Sequence, residues 1–309
     1  MSGALPLLFP VVRGLIAATL LLLIGIPVAA ALVRRHGPRP ALPARETMDG
    51  WFERLPGLLA WFLLICSLLR GALQLLSFAD PGVPIDSDLV RAVLLEGSWG
   101  TAWMVQSGVA FLLLAMAWLW RREPRRLTLM MVVLLVIAAA AEGSLGHGAD
   151  DVWPGVLGRV VHAVHLIGSG LWLGTLAILA LVVFPSLRSE ESLPQLAAIV
   201  RGFSYPARIG ALLVVGSGTT ATWRYSGGDL LGLPGAVWGQ LLLLKLLAVI
   251  GILLLGWWNW RRITPSLTAG TPAAATSLRR AVAAELLLGA VALALTAWLI
   301  GSPLPIPVG

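Results

Sequence analysis

The chain alternates long apolar runs with short polar segments, and the runs set its architecture. Eight of them, near residues 11–33, 56–77, 99–120, 127–146, 157–184, 204–223, 236–259 and 279–301, are long enough to cross a hydrocarbon core, which takes about 20 apolar residues per helix. Inside lipid each backbone polar group must be satisfied within its own segment, so the runs predict helices. The expected fold class is all-α: a polytopic membrane protein, a bundle of about eight transmembrane helices in the lipid bilayer. The first run is long and arginines follow it directly, so it is expected to stay as a helix rather than be cleaved as a signal.

Composition agrees, with 58% hydrophobic and 12% charged residues. A net charge of +7 would suggest nucleic acid in a soluble chain, but here the arginines sit in short loops where they orient helices, and no nucleic-acid partner is expected. Arg34, Arg35, Arg39, Arg45 and Arg54 follow run one; Arg121, Arg122, Arg125 and Arg126 follow run three; Arg261, Arg262, Arg279 and Arg280 follow run seven. The positive-inside rule makes these loops cytoplasmic and both termini periplasmic. The lone cysteine, Cys66, excludes a disulfide framework and reads as packing. No phosphate-cradling loop is visible and no nucleophile sits with a base, so neither an ATP-driven pump nor an enzyme is expected.

Against this background three of the four histidines stand close together: His147 at the end of run four, His162 and His165 in the first two turns of run five. The i, i+3 spacing puts His162 and His165 on one helix face, which Ser169 and Trp172 continue. Metal-ligating side chains are costly at membrane depth, so the cluster is a candidate site. Imidazole suits copper or zinc, and a thioether such as Met104 would favour Cu(I). Paired histidines on membrane helices also ligate b-type haem, which stays open as the alternative, in a haem- or quinone-linked electron-transfer protein.

Arg70, Gln106 and Glu142 fall at a similar depth. Arg70 and Glu142, each about 20 Å from the inner end of its helix, are expected partners, either as a structural lock or with Glu142 acting beside the histidines. Lys245 and Glu285 lie inside runs seven and eight, either tied to each other or to backbone, or as lower stations on an ion path. Glycines 168, 170, 174, 216 and 218 are expected to bring helices five and six together. Trp99, Trp153, Trp223, Trp238 and Trp260 are expected as interfacial anchors.

The segment His162-Ala-Val-His165-Leu-Ile-Gly-Ser-Gly-Leu-Trp172-Leu-Gly174, preceded by Gly146-His147-Gly148, resembles the hallmark of the copper resistance D (CopD) family of bacterial inner-membrane proteins, which includes the membrane part of YcnJ-type copper importers. Phe203-Ser204, Leu244-Lys245-Leu246, Asn259-Trp-Arg261-Arg262 and Arg280-Ala-Val-Ala-Ala-Glu285 follow in the family's order. The resemblance divides the chain into residues 1–135, which hold helices one to three and the start of four, and a CopD-like part, residues 136–309, in one integrated bundle. It implies copper, as Cu(I) or Cu(II), taken from a periplasmic carrier of the CopC type and moved toward the cytoplasm. His147, His162 and His165 match positions suited to copper ligands, and Trp172 and Gly174 match packing positions. Glu142, Met104, Arg70, Gln106, Lys245 and Glu285 are candidates for the pathway or for supporting the ligands.

Overall fold

Each apolar run forms a helix that extends past the run itself. The computed structural model describes residues 5–38, 42–79, 85–120, 124–146 and 156–304. Among these residues eight long helices follow in order: α1 (Leu5–His36), α2 (Pro43–Phe78), α3 (Gly97–Trp120), α4 (Pro124–Ser144), α5 (Leu157–Ser186), α6 (Glu190–Tyr225), α7 (Val237–Thr268) and α8 (Pro272–Leu299). Seven are long and apolar enough to cross a membrane; in α4 the apolar part is the shorter Leu129–Ser144. No strand occurs among the described residues.

Proline marks several of the starts. Pro43 and Pro272 stand in the first turns of α2 and α8, where the missing N–H has no helical partner to lose. Arg45 ties the α1–α2 turn: its Nη1 donates to the Val33 carbonyl at 3.1 Å and its Nε to Asp49 at 2.9 Å. Helix α5 is interrupted by two π turns, Gly170–Gly174 and Leu179–Val183, and α7 by a third, Asn259–Ile263.

Helices α1 and α5 form the centre of the bundle. Their apolar windows are 56% and 61% buried, against 17–39% for the other five spanning helices, whose outward leucines, phenylalanines and tryptophans face the space a bilayer fills. Helix α1 packs against α2, α4, α5, α6 and α8, so it joins both halves of the chain.

Glycine makes the central contact, on a different face from the one expected. A Cβ on Gly174 would lie 1.9 Å from the Leu21 carbonyl oxygen, one on Gly25 would lie 2.3 Å from Gly174, and one on Gly170 would meet Ile24 at 2.6 Å. The Gly170-x-x-x-Gly174 stripe therefore seats α1, not α6. The α5–α6 contact rests instead on Gly168 and Gly210, each aimed at the other's carbonyl oxygen at 2.9 and 2.6 Å, while Gly216 touches nothing within 4 Å and Gly218 faces the His165 ring at 3.6 Å.

The tryptophans also divide. Trp223 and Trp260 are exposed, as anchors should be, and Trp99 is half-buried. Trp238 is 2% exposed and meets Tyr225 edge-on, because the turn at Leu233–Gly235 folds back over it, so it is core. Trp153 lies outside the described residues. Cys66 is buried among apolar neighbours, as expected.

Candidate functional site

Three helices first assemble a buried polar network. Glu142 Oε2 accepts from Arg70 Nη1 at 2.7 Å and from Gln106 Nε2 at 2.6 Å, and Arg70 Nη2 donates to the Leu145 carbonyl at 2.8 Å. That carbonyl belongs to the end of α4, where no later turn supplies a donor. All three residues are at most 5% exposed, so the ion pair expected from matched depths forms, with the hydrogen bonds a buried pair requires. One turn along α2, the Ser67 hydroxyl meets Ser107 at 2.7 Å and the Ser67 carbonyl accepts from the Trp103 indole at 2.8 Å.

Glu142 also faces a cavity of about 100 Å³. Arg13 of α1, His162, His165, Ser169 and Trp172 of α5, Lys245 of α7 and Thr296 of α8 line it. Residues near both ends of the chain, Arg13 and Ile300, share this wall with the histidines, so α1 begins and α8 ends at the histidine end of the bundle. Of the expected set, Glu142, His162, His165 and Lys245 are thus brought together. Arg70 and Gln106 hold Glu142 from behind. Met104 points away, 39% exposed on the outer side of α3. His147 lies outside the described residues. Among the described residues no three His, Cys, Asp or Glu side chains come close enough to hold a metal ion.

Hydrogen bonding defines the state of His165. Ser217 Oγ sits 2.5 Å from the Leu213 carbonyl and 3.0 Å from His165 Nδ1. A hydroxyl has one proton, and the shorter contact, to a group that can only accept, takes it. The serine therefore accepts from His165 Nδ1–H, leaving Nε2 as the bare nitrogen. This is the usual way a helix-borne imidazole is oriented for a ligand on its second nitrogen. Ser217 carries no sequence signal beyond its place in a glycine-flanked stretch of α6. Arg13, also missed, reads as a flanking charge until α1 is seen to begin well before it.

A second cavity, of about 350 Å³, opens in the other half of the bundle between α5, α6, α7 and α8. Its walls are largely aromatic and aliphatic, with Ser204, Arg208, Asn259, Thr264 and Glu285 as polar members. Glu285 accepts from Asn259 Nδ2, and its Oε2 faces Gly256. Gly256 is eleven residues beyond Lys245, about 16 Å along α7. Lys245 and Glu285 are therefore not partners: each faces its own cavity. Trp172, 5% exposed and inside the first π turn of α5, lines both cavities.

The family model described as copper resistance protein D matches residues 197–299, and the model described as copper resistance protein D-like, N-terminal domain, matches residues 4–158. Together they take in most of the chain, and the N-terminal match ends just inside α5, so α4 falls whole within it. No curated protein and no solved structure matches the chain.

Proposed function

Because the chain belongs to the copper resistance protein D family and takes part in copper resistance as a multi-pass membrane protein, we propose that it carries copper through the bundle by way of His162 and His165. The observation that supports this reading most is the shared cavity. Two imidazoles on one helix face, one with its Nε2 left bare by Ser217, open into one cavity next to Trp172, with a second cavity beyond. Two nitrogen donors suit copper, and His147, next to the described end of α4, is proposed as the third ligand. Arg13 and Lys245 face the same space and raise the cost of a resident cation. A transport station gains by this, since cargo must leave as readily as it enters.

By the positive-inside rule the histidine end would be the periplasmic side, and the membrane the bacterial inner membrane. A separate CopC-like carrier would deliver copper there, and net movement would run toward the cytoplasm. The same face argues against haem, since side chains three residues apart on one helix approach from one side and cannot take both axial positions of a single iron.

The test is metal quantification with an absorption spectrum on purified protein after copper loading, comparing wild type with the His162→Ala/His165→Ala double variant. Stoichiometric copper lost in the variant, with no Soret band, is the expected result. A histidine-dependent Soret band, or copper retained by the double variant, overturns the reading.

A further inference from the structure

The second cavity holds a buried carboxylate without a cationic partner. Glu285 is 3% exposed, and among the described residues no lysine or arginine nitrogen comes within 4 Å of it. Its partner in the wall is the Asn259 amide, whose Nδ2 it accepts. The other end of that amide is unsatisfied: Asn259 is 8% exposed, and its buried Oδ1 has no hydrogen-bond partner. An orphaned acceptor and an ionisable acid in one cavity wall, both at membrane depth, are costly unless something positive reaches them.

The remaining polar wall has the same character. Thr264 gives its hydroxyl proton to the Asn259 carbonyl at 2.9 Å and Ser204 gives its own to the Val200 carbonyl at 3.4 Å, so both oxygens turn only lone pairs toward other partners. Of the residues lining the cavity only Glu285 and Arg208 carry charge, and Arg208 is exposed, with its Nε on the Ser204 carbonyl. The π turn Asn259–Ile263 sets Asn259 opposite Glu285.

We propose that Glu285 and Asn259 form a site for a small hard monovalent cation, sodium or a proton, separate from the histidine cavity and on the far side of Trp172. The donors are oxygen throughout, with neither thioether nor imidazole, a set that favours hard cations over Cu(I). Such a site supplies the coupling ion that a transporter without ATP chemistry can use, and it stands whether or not the histidines bind copper.

The experiment uses the purified full chain in lipid nanodiscs without copper. Equilibrium dialysis against radioactive sodium in a choline background at neutral pH is run alongside infrared spectroscopy of the protonated-carboxyl stretch. The variants are Glu285→Gln, Asn259→Ala and His162→Ala/His165→Ala. For sodium, one saturable ion per chain is expected, lost in Glu285→Gln, weakened in Asn259→Ala and unchanged in the histidine variant. For a proton, no sodium binds, and wild type shows at neutral pH a protonated-carboxyl band that Glu285→Gln lacks. A Glu285 that is ionised at neutral pH with no sodium bound overturns the proposal, as does sodium binding that both cavity variants leave intact. The wild-type dialysis and spectrum need no variant to fold.

Discussion

At His165 one hydroxyl decides which ring nitrogen is free, and that makes Ser217 the most informative single position behind the histidine cavity. Ser217→Ala removes the side-chain acceptor for Nδ1–H, so the ring is freer to rotate or change tautomer, and loss of such a supporting partner lowers metal affinity roughly 10- to 100-fold. Competition of the purified variant against a copper chelator should show that loss, with Ser217→Thr close to wild type; an unchanged affinity for Ser217→Ala means that Nδ1 plays no part in orientation. The buried pair gives the second expectation at this scale. Arg70→Met leaves Glu142 at 5% exposure with only Gln106, and removing one partner of a buried pair costs about 3–5 kcal/mol. Arg70→Met/Glu142→Met, which removes both members of the pair and leaves Arg13 as the charge on that wall, should recover part of the lost thermal stability in detergent; a double variant as unstable as the single one shows that the network matters for more than the balance of this pair. This pair was legible in the sequence because helical rise alone puts both residues at one depth. Ser217 was not, since its role depends on a neighbour 52 residues away and on which lone pair is left over.

Among the elements, apolar runs revealed where the helices lie but not how far they extend or where they widen. Helix α2 begins at Pro43 rather than near residue 56, because its first turns are amphipathic and tied down by Arg45 and Asp49, a pattern that an apolar threshold passes over. The π turns left no trace, since each adds one residue to a turn without changing composition. They nevertheless carry Trp172 and Asn259, the residues between and within the cavities. Small-residue stripes announced close packing without naming the partner, and for Gly170 and Gly174 that partner is α1. Gly174→Ala would put a methyl 1.9 Å from the Leu21 carbonyl oxygen, a backbone atom with nowhere to go, so α1 and α5 must separate. Overpacking of this kind costs about 1–3 kcal/mol or more. Gly216→Ala, with open space around it, should be neutral or slightly stabilising, since alanine is the better helix former. Thermal melts of the two variants in one detergent check the contrast, and equal melting temperatures would mean that the α1–α5 contact is not a close one.

For the whole molecule, the decisive arrangement is two cavities, one at the histidine end with imidazoles and one in the other half with oxygen donors, that have Trp172 in common. The backbone that carries the indole is held from both sides. Gly170 and Gly174 press its π turn onto α1, and a Cβ on Gly210 of α6 would lie 2.9 Å from the Trp172 backbone nitrogen, so neither neighbouring helix leaves this stretch of backbone room to shift. The proposed transport needs a closed partition at rest, because a continuous polar path would dissipate the ion gradient. Truncating the indole should merge the cavities. Trp172→Ala is therefore expected to make copper-free proteoliposomes leak protons or sodium, read with a pH-sensitive dye or by radioactive sodium influx, and Trp172→Phe, which keeps a ring, should leak less. Removing a buried tryptophan costs about 3–5 kcal/mol, so helix content and monodispersity must be matched to wild type before flux is compared. A well-folded Trp172→Ala variant that stays as tight as wild type would show that backbone rather than the indole closes the passage, and would move the partition to the α1–α5 contact at Gly174.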